Sequence, residues 1–126
     1  MRIQLAEVAQ ARSGDKGDAA DISLFAPSAG LYEVFRREVT AERVKAHFGA
    51  WCRGEVRRYE APTLWALKFV LEGALGGGAP ASLRLDNLGK SLASALLRMD
   101  IEVPDALLEG IPRLRYPRKS VPGGHA

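Results

Sequence analysis

The segment "ARSGDKGDAADISLFAP", residues 11–27, decides what kind of fold this chain adopts. Its second half alternates. Ile22 and Leu24 fall on one face and Ser23 and Phe25 on the other, the period of a half-buried strand. Pro27 ends that strand, because proline has no N–H to give to a ladder. Upstream, residues 2–9 alternate in part, with Ile3, Leu5 and Val8 to one side and Gln4 and Glu7 to the other, and read as a first strand. Between them, "RSGDKGD" is glycine-bearing and charged and reads as a loop. Two strands joined by a loop rather than a crossover helix point to antiparallel pairing, away from a doubly wound parallel sheet.

Working outward, the period changes after Gly30. Leu31, Val34, Phe35 and Val39 are spaced as one face of a helix. Thr40 reads as the N-cap of a second helix, with Glu42 in its first turn, Val44 and Phe48 on its apolar face and Gly49 as its stop. "GEVRRYE", residues 54–60, reads as a short strand with Val56 and Tyr59 facing inward. Pro62 suits a first helical position, so "TLWALKFVLEGAL", residues 63–75, reads as a helix apolar on nearly every side, one side of it free to meet another subunit. The Gly76–Gly78 run stops it. "ASLRLD" reads as a strand with Leu83 and Leu85 on one face. "GKSLASALLRMD" reads as a helix carrying Leu92, Leu96 and Met99, with Leu88 just before it. "IEVP" closes the sheet and "PDALLEGIP" adds a helical turn. The pattern predicts one α+β domain over residues 2–112, ferredoxin-like, with a mostly antiparallel sheet and helices packed on one face.

Composition narrows the function. A chain of 126 residues, 47% hydrophobic and 26% charged, is the size and balance of a single globular domain. No apolar run approaches the roughly 18 residues that span a bilayer, and the first ten residues do not form a signal peptide. A cytoplasmic protein with no membrane partner is expected. The net charge of +3 is unevenly spread. Residues 113–126 carry Arg113, Arg115, Arg118 and Lys119 and no acid, which leaves fourteen bases against fifteen acids before them. A nucleic-acid reader needs a basic face with exposed aromatics. The body shows neither, so no nucleic-acid partner is expected. Cys52 is the single cysteine. It reads as a small core residue, and with His47 and His125 it makes no four-ligand zinc site. No metal and no cofactor are expected.

Chemistry concentrates in two glycine-bearing stretches. In the first, Gly14 and Gly17 let the backbone approach a ligand. Arg12 and Lys16 supply charge-assisted donors, and Ser13 a hydroxyl. Asp15, Asp18 and Asp21 outnumber those bases, and the segment feeds a strand rather than a helix, so it is no Walker cradle. Three readings stay open: a wide hairpin whose charges satisfy one another, an anion or polar-ligand site, and a weak hard-cation site. In the second stretch Asp86 caps the following helix, and Lys90 lies in its first turn, where anions are favoured. The candidate ligand-binding set is therefore Arg12, Ser13, Gly14, Asp15, Lys16, Gly17, Asp86 and Lys90, with Arg84 nearby. Asp15, Asp86 and Glu60 are the acid–base candidates of an alternative reading, an enzyme in its own right acting on an acyl-CoA or a small carboxylate. No serine–histidine constellation or nucleophile elbow is present.

Taken in order, the block Arg12 to Gly17, Arg58-Tyr59-Glu60, the Gly76–Gly78 run, Leu83-Arg84-Leu85-Asp86 and Gly89-Lys90 resemble a known family. It is the ferredoxin-fold domain found at the C-terminus of acyclic terpene utilisation protein A, and the likeness extends over residues 2–104. "Ferredoxin" there describes a fold, and one cysteine holds no iron–sulfur cluster. The resemblance implies an accessory or small-subunit domain in acyl-CoA metabolism and terpene utilisation, here as a stand-alone chain. A homo-oligomer is expected, with a larger acyclic terpene utilisation-type protein as partner. The resemblance assigns no catalytic residue.

Overall fold

The computed structural model describes residues 1–16, 19–49, 52–73 and 88–114. Strands β1 (Arg2–Gln4), β2 (Gln10–Lys16) and β3 (Ala19–Phe25) lead into helices α1 (Ala29–Glu38) and α2 (Ala41–Phe48). Strands β4 (Val56–Ala61) and β5 (Ala66–Leu71), helix α3 (Leu88–Leu97) and strand β6 (Asp100–Glu102) follow. Four strands form one sheet in the order β2-β3-β5-β4, and β1 pairs with β6 in a second sheet. Every one of these pairings is antiparallel. The α+β class expected from the sequence is the class observed.

Two readings need correction. "RSGDKGD" is not a loop: residues up to Lys16 belong to β2, paired with β3 from Gln10↔Phe25 to Lys16↔Ala19. The first strand is correspondingly short. It stops at Gln4 and gives way to a 3-10 turn over Leu5–Glu7. Residues 63–75 are not a helix. Pro62–Leu64 forms one 3-10 turn, Trp65 sits in the left-handed region at φ 51°, and Ala66–Leu71 runs as a strand between β3 and β4. Leu67, Phe69 and Leu71 face the core while Lys68 is exposed. That alternation serves a strand, and the apolar density that mimics an all-round helix comes from its place inside the sheet. The Gly76–Gly78 run and the 81–86 strand expected from sequence lie outside the described residues.

Ser28 Oγ accepts the Leu31 N–H at 3.1 Å to start α1, a cap not singled out in the sequence, and Thr40 Oγ1 accepts the Arg43 N–H at 3.1 Å to start α2, as expected. Gly49 ends α2 at φ 58°, a conformation glycine adopts without strain. Gly54 is required for a different reason. A Cβ there would lie 2.7 Å from the Glu72 carbonyl oxygen, where β4 and β5 close on each other.

The core lies on one face of the four-stranded sheet. Ala20, Ile22 and Leu24 of β3 and Leu67, Phe69 and Leu71 of β5 meet Leu31, Val34 and Phe35 of α1, Val44 and Phe48 of α2, and Leu92 and Leu96 of α3. Polar bonds tie the helices down. Arg43 donates to the carbonyls of Glu38 at 2.9 Å and Asp100 at 2.8 Å, and His47 Nε2 lies 2.7 Å from the Ala95 carbonyl.

Candidate functional site

Strand geometry sorts the candidate residues. Side chains alternate along β2, so the register puts Ser13, opposite Ile22, on the core face. Arg12, opposite Ser23, takes the other face, in line with Gly14 opposite Asp21, and the backbone register continues through Asp15↔Ala20 to Lys16↔Ala19. A stretch that reads as one polar cluster is split between the two sides of a sheet. Ser13 Oγ is buried without a hydrogen-bond partner, while Arg12 is exposed. Lys90 lies in the first turn of α3. Gly17 and Asp86 lie outside the described residues. The convergence of the two glycine stretches is therefore not among the contacts described.

Among the described residues, no helix packs on the second face of the sheet. Across it run Gln10, Phe25, Ala66 and Ala61, then Arg12, Ser23, Lys68 and Tyr59, then Gly14, Asp21, Val70 and Arg57. Arg12, Lys68, Tyr59 and Arg57 are exposed. Lys68 Nζ stands 3.7 Å from Asp21 Oδ2, and Arg57 reaches Glu55 at 3.5 Å and Glu72 at 3.7 Å. The Arg57 guanidinium is held above its ordinary pKa, first by a hydrogen bond with Tyr59 and then by Glu72. Arg12 differs from both. Its guanidinium lies 5.9 Å from the centroid of the Phe25 ring, a cation–π distance, and no carboxylate pairs with it among the described residues.

Beside this face, the turn before β5 holds two large apolar side chains in solvent. Leu64 is 65% exposed and Trp65 41%. Trp65 does so in a left-handed conformation that costs a residue with a Cβ about 1–2 kcal/mol. Tyr59 is also half exposed, which corrects the inward placement expected for it. Sequence reading missed this trio because it took the segment after Pro62 for a helix. Val56, Arg58 and Glu60 occupy one face of β4 and Tyr59 the other, so strict alternation carried the signal.

At the end of the sheet where β2 starts and β3 finishes, an open groove of about 470 Å³ runs along Gln10, Arg12, Phe25, Leu64 and Leu97. It joins an apolar floor to a single unpaired cation.

The other titratable groups serve the frame. Arg58 crosses to the last turn of α1, donating to the carbonyls of Arg36 at 2.6 Å and Val39 at 3.0 Å, and to Glu60 Oε2 at 3.1 Å. Glu60 is thus engaged by Arg58 and lies on the row opposite to that of Arg12. An acid–base pair of Glu60 with an anion at Arg12 is not assembled. Tyr32 is buried with its hydroxyl unpartnered. Burial, then the nearby Glu60 charge, pushes its phenol pKa up. Cys52 is 2% exposed, and burial pushes its thiol up as well, so it is a core residue rather than a ready nucleophile.

Antiparallel sheets with the described helices gathered on one side define a small α+β domain of ferredoxin-like type. The chain belongs to the AtuA ferredoxin-like domain family, whose model matches residues 3–102. Comparison with curated proteins and with solved structures finds no match. Among the described residues no helix is long and apolar enough to cross a membrane.

Proposed function

We propose that this chain is an accessory, small-subunit module that works within an assembly. It associates with further copies of itself and with a larger protein of the acyclic terpene utilisation type, and it holds an anionic ligand of the acyl-CoA class. The observation that carries this reading is the bare sheet face, with Tyr59 on it and Leu64 and Trp65 at its border. Large aromatic side chains in solvent are the usual anchors of protein interfaces. The anionic part of the reading rests on Arg12, exposed on the second face of β2.

Light scattering over a range of protein concentrations tests the assembly. The wild type is expected to be an oligomer. Tyr59→Asp with Trp65→Asp is expected to shift it to monomer at an unchanged melting temperature. A wild type that is monomeric at every concentration removes self-association from the reading. Failure to co-purify with a co-expressed larger protein removes the hetero-partner.

A further inference from the structure

The groove at the start of β2 has a composition that selects a ligand. Its floor and walls include Phe25, Leu64 and Leu97, which favour an apolar tail. Its polar groups are Gln10 and Arg12. The volume, about 470 Å³, falls within the usual range for small-molecule sites, about 300–1,000 Å³. Among the described residues Arg12 is the only charged side chain lining it, and its guanidinium lies 5.9 Å from the Phe25 ring centroid, a contact that leaves guanidinium N–H groups available to an acceptor.

We infer that this groove binds a monocarboxylate with an apolar tail, the carboxylate on Arg12 and the tail along Phe25, Leu64 and Leu97. One guanidinium matches one planar carboxylate through two parallel N–H···O bonds. A polyphosphate head would call for several cations, and the described lining of the groove has one. Gln10 adds an amide donor at the same end. The inference rests on the anion-holding half of the proposed function and narrows it, from the phosphates of a CoA to a free carboxylate.

Calorimetric titration of the full chain with octanoate, 1-octanol, inorganic phosphate and CoA tests it. Octanoate is expected to bind saturably at one site per chain, and octanol and phosphate far more weakly. Arg12→Met keeps the stem over Phe25 and removes the charge. It is expected to weaken octanoate about tenfold or more, as loss of a charge-assisted bond does, while Arg12→Lys keeps part of the affinity. Leu64→Ser, at an exposed position, is expected to weaken octanoate and leave the fold intact. Equal binding of octanoate and octanol, or an unchanged affinity in Arg12→Met, overturns the inference. CoA bound through Arg12 with no octanoate binding overturns it while leaving the broader anionic reading in place. Binding of neither overturns both.

Discussion

The two faces of the four-stranded sheet are built from the same strands to opposite ends. On β5, Leu67, Phe69 and Leu71 are completely buried, and the residues between them are Lys68 and Val70. On β3, Ile22 and Leu24 are completely buried, and between and beyond them come Asp21, Ser23 and Phe25. One face carries three helices and the stability of the domain. The other carries ion pairs, an aromatic–arginine contact and a bare surface, so sequence there is free to serve binding. If that division is right, neighbouring residues on one strand respond to mutation in different currencies: stability on one face, association or ligand affinity on the other.

The largest effect belongs to the core face. Phe69 is fully buried at the centre of the sheet, paired with both Ile22 and Arg58. Phe69→Ala is expected to lower unfolding stability by about 3–5 kcal/mol, the usual consequence of a large cavity, read from the urea midpoint at constant slope. A loss below about 1 kcal/mol would mean that this face is not the main core.

Next comes the contact that joins the edge of the sheet to α1. Arg58 supplies donors to two carbonyls at the end of that helix and favours its negative dipole end. Arg58→Met keeps the stem and is expected to cost about 1–3 kcal/mol. Arg58→Lys recovers only part of it, because one ammonium does not reproduce the fork. The measurement is chemical denaturation of the three proteins side by side.

How much of this was legible in sequence follows the same division. Leu31, Val34 and Phe35 repeat at helical spacing in α1, Thr40 precedes the apolar positions of α2, and Leu92, Leu96 and Met99 repeat at helical spacing as well. Those signals are local, and the helices appeared where they pointed. The β2–β3 hairpin was misread because Gly-Asp occurs twice, at 14–15 and 17–18, and either dipeptide suits a turn. Taking both as loop hid a register in which Lys16 pairs with Ala19 and only Gly17 and Asp18 intervene. Residues 63–75 were misread because a short apolar run has no period that separates a buried helix from an interior strand. Lys68 and Glu72 even mimic a helical i,i+4 pair, whereas the structure sends Lys68 to Asp21 and Glu72 to Arg57 across strands. The candidate site was legible as residue types but not as a place. Whether Arg12 and Ser13 share a site depends on the face each takes, and that depends on a register no local signal fixes.

The pH response of the core is smaller and has a defined sign. Tyr32 and Cys52 both have folded pKa values raised above their ordinary ones, near 10 and 9, chiefly by burial. A group whose folded value is raised contributes its full stabilisation below its unfolded pKa and loses it as pH rises, because the unfolded chain ionises first. Stability is therefore expected to fall progressively above about pH 8.5, the thiol contributing first and the phenol above about pH 10. Cys52→Ala is expected to flatten the first part of that decline, and Tyr32→Phe the second. Urea midpoints measured from pH 7 to 11 separate them. An unchanged decline in Cys52→Ala would mean that the thiol is not desolvated in solution.

The smallest effect on stability is the one that sharpens the comparison most. Lys68 follows Leu67 and precedes Phe69, yet its side chain is 46% exposed, and among the described residues its one ion pair is with Asp21, at 3.7 Å. Pairs so exposed contribute about 0–1 kcal/mol, so Lys68→Gln is expected to leave the urea midpoint of a dilute sample within about 0.5 kcal/mol of wild type. Its consequence should appear elsewhere. Lys68 stands directly opposite Tyr59 and Ser23 in the middle of the bare face, and a partner seated there would have to desolvate the Lys68–Asp21 pair. Changing the charge should shift the concentration at which the chain associates, by light scattering, without shifting the midpoint. A loss of stability comparable to that of Phe69→Ala would show that Lys68 is integral to the fold, and the face would no longer be free. An unchanged association as well as an unchanged midpoint would place the interface off the sheet, around Leu64 and Trp65 alone.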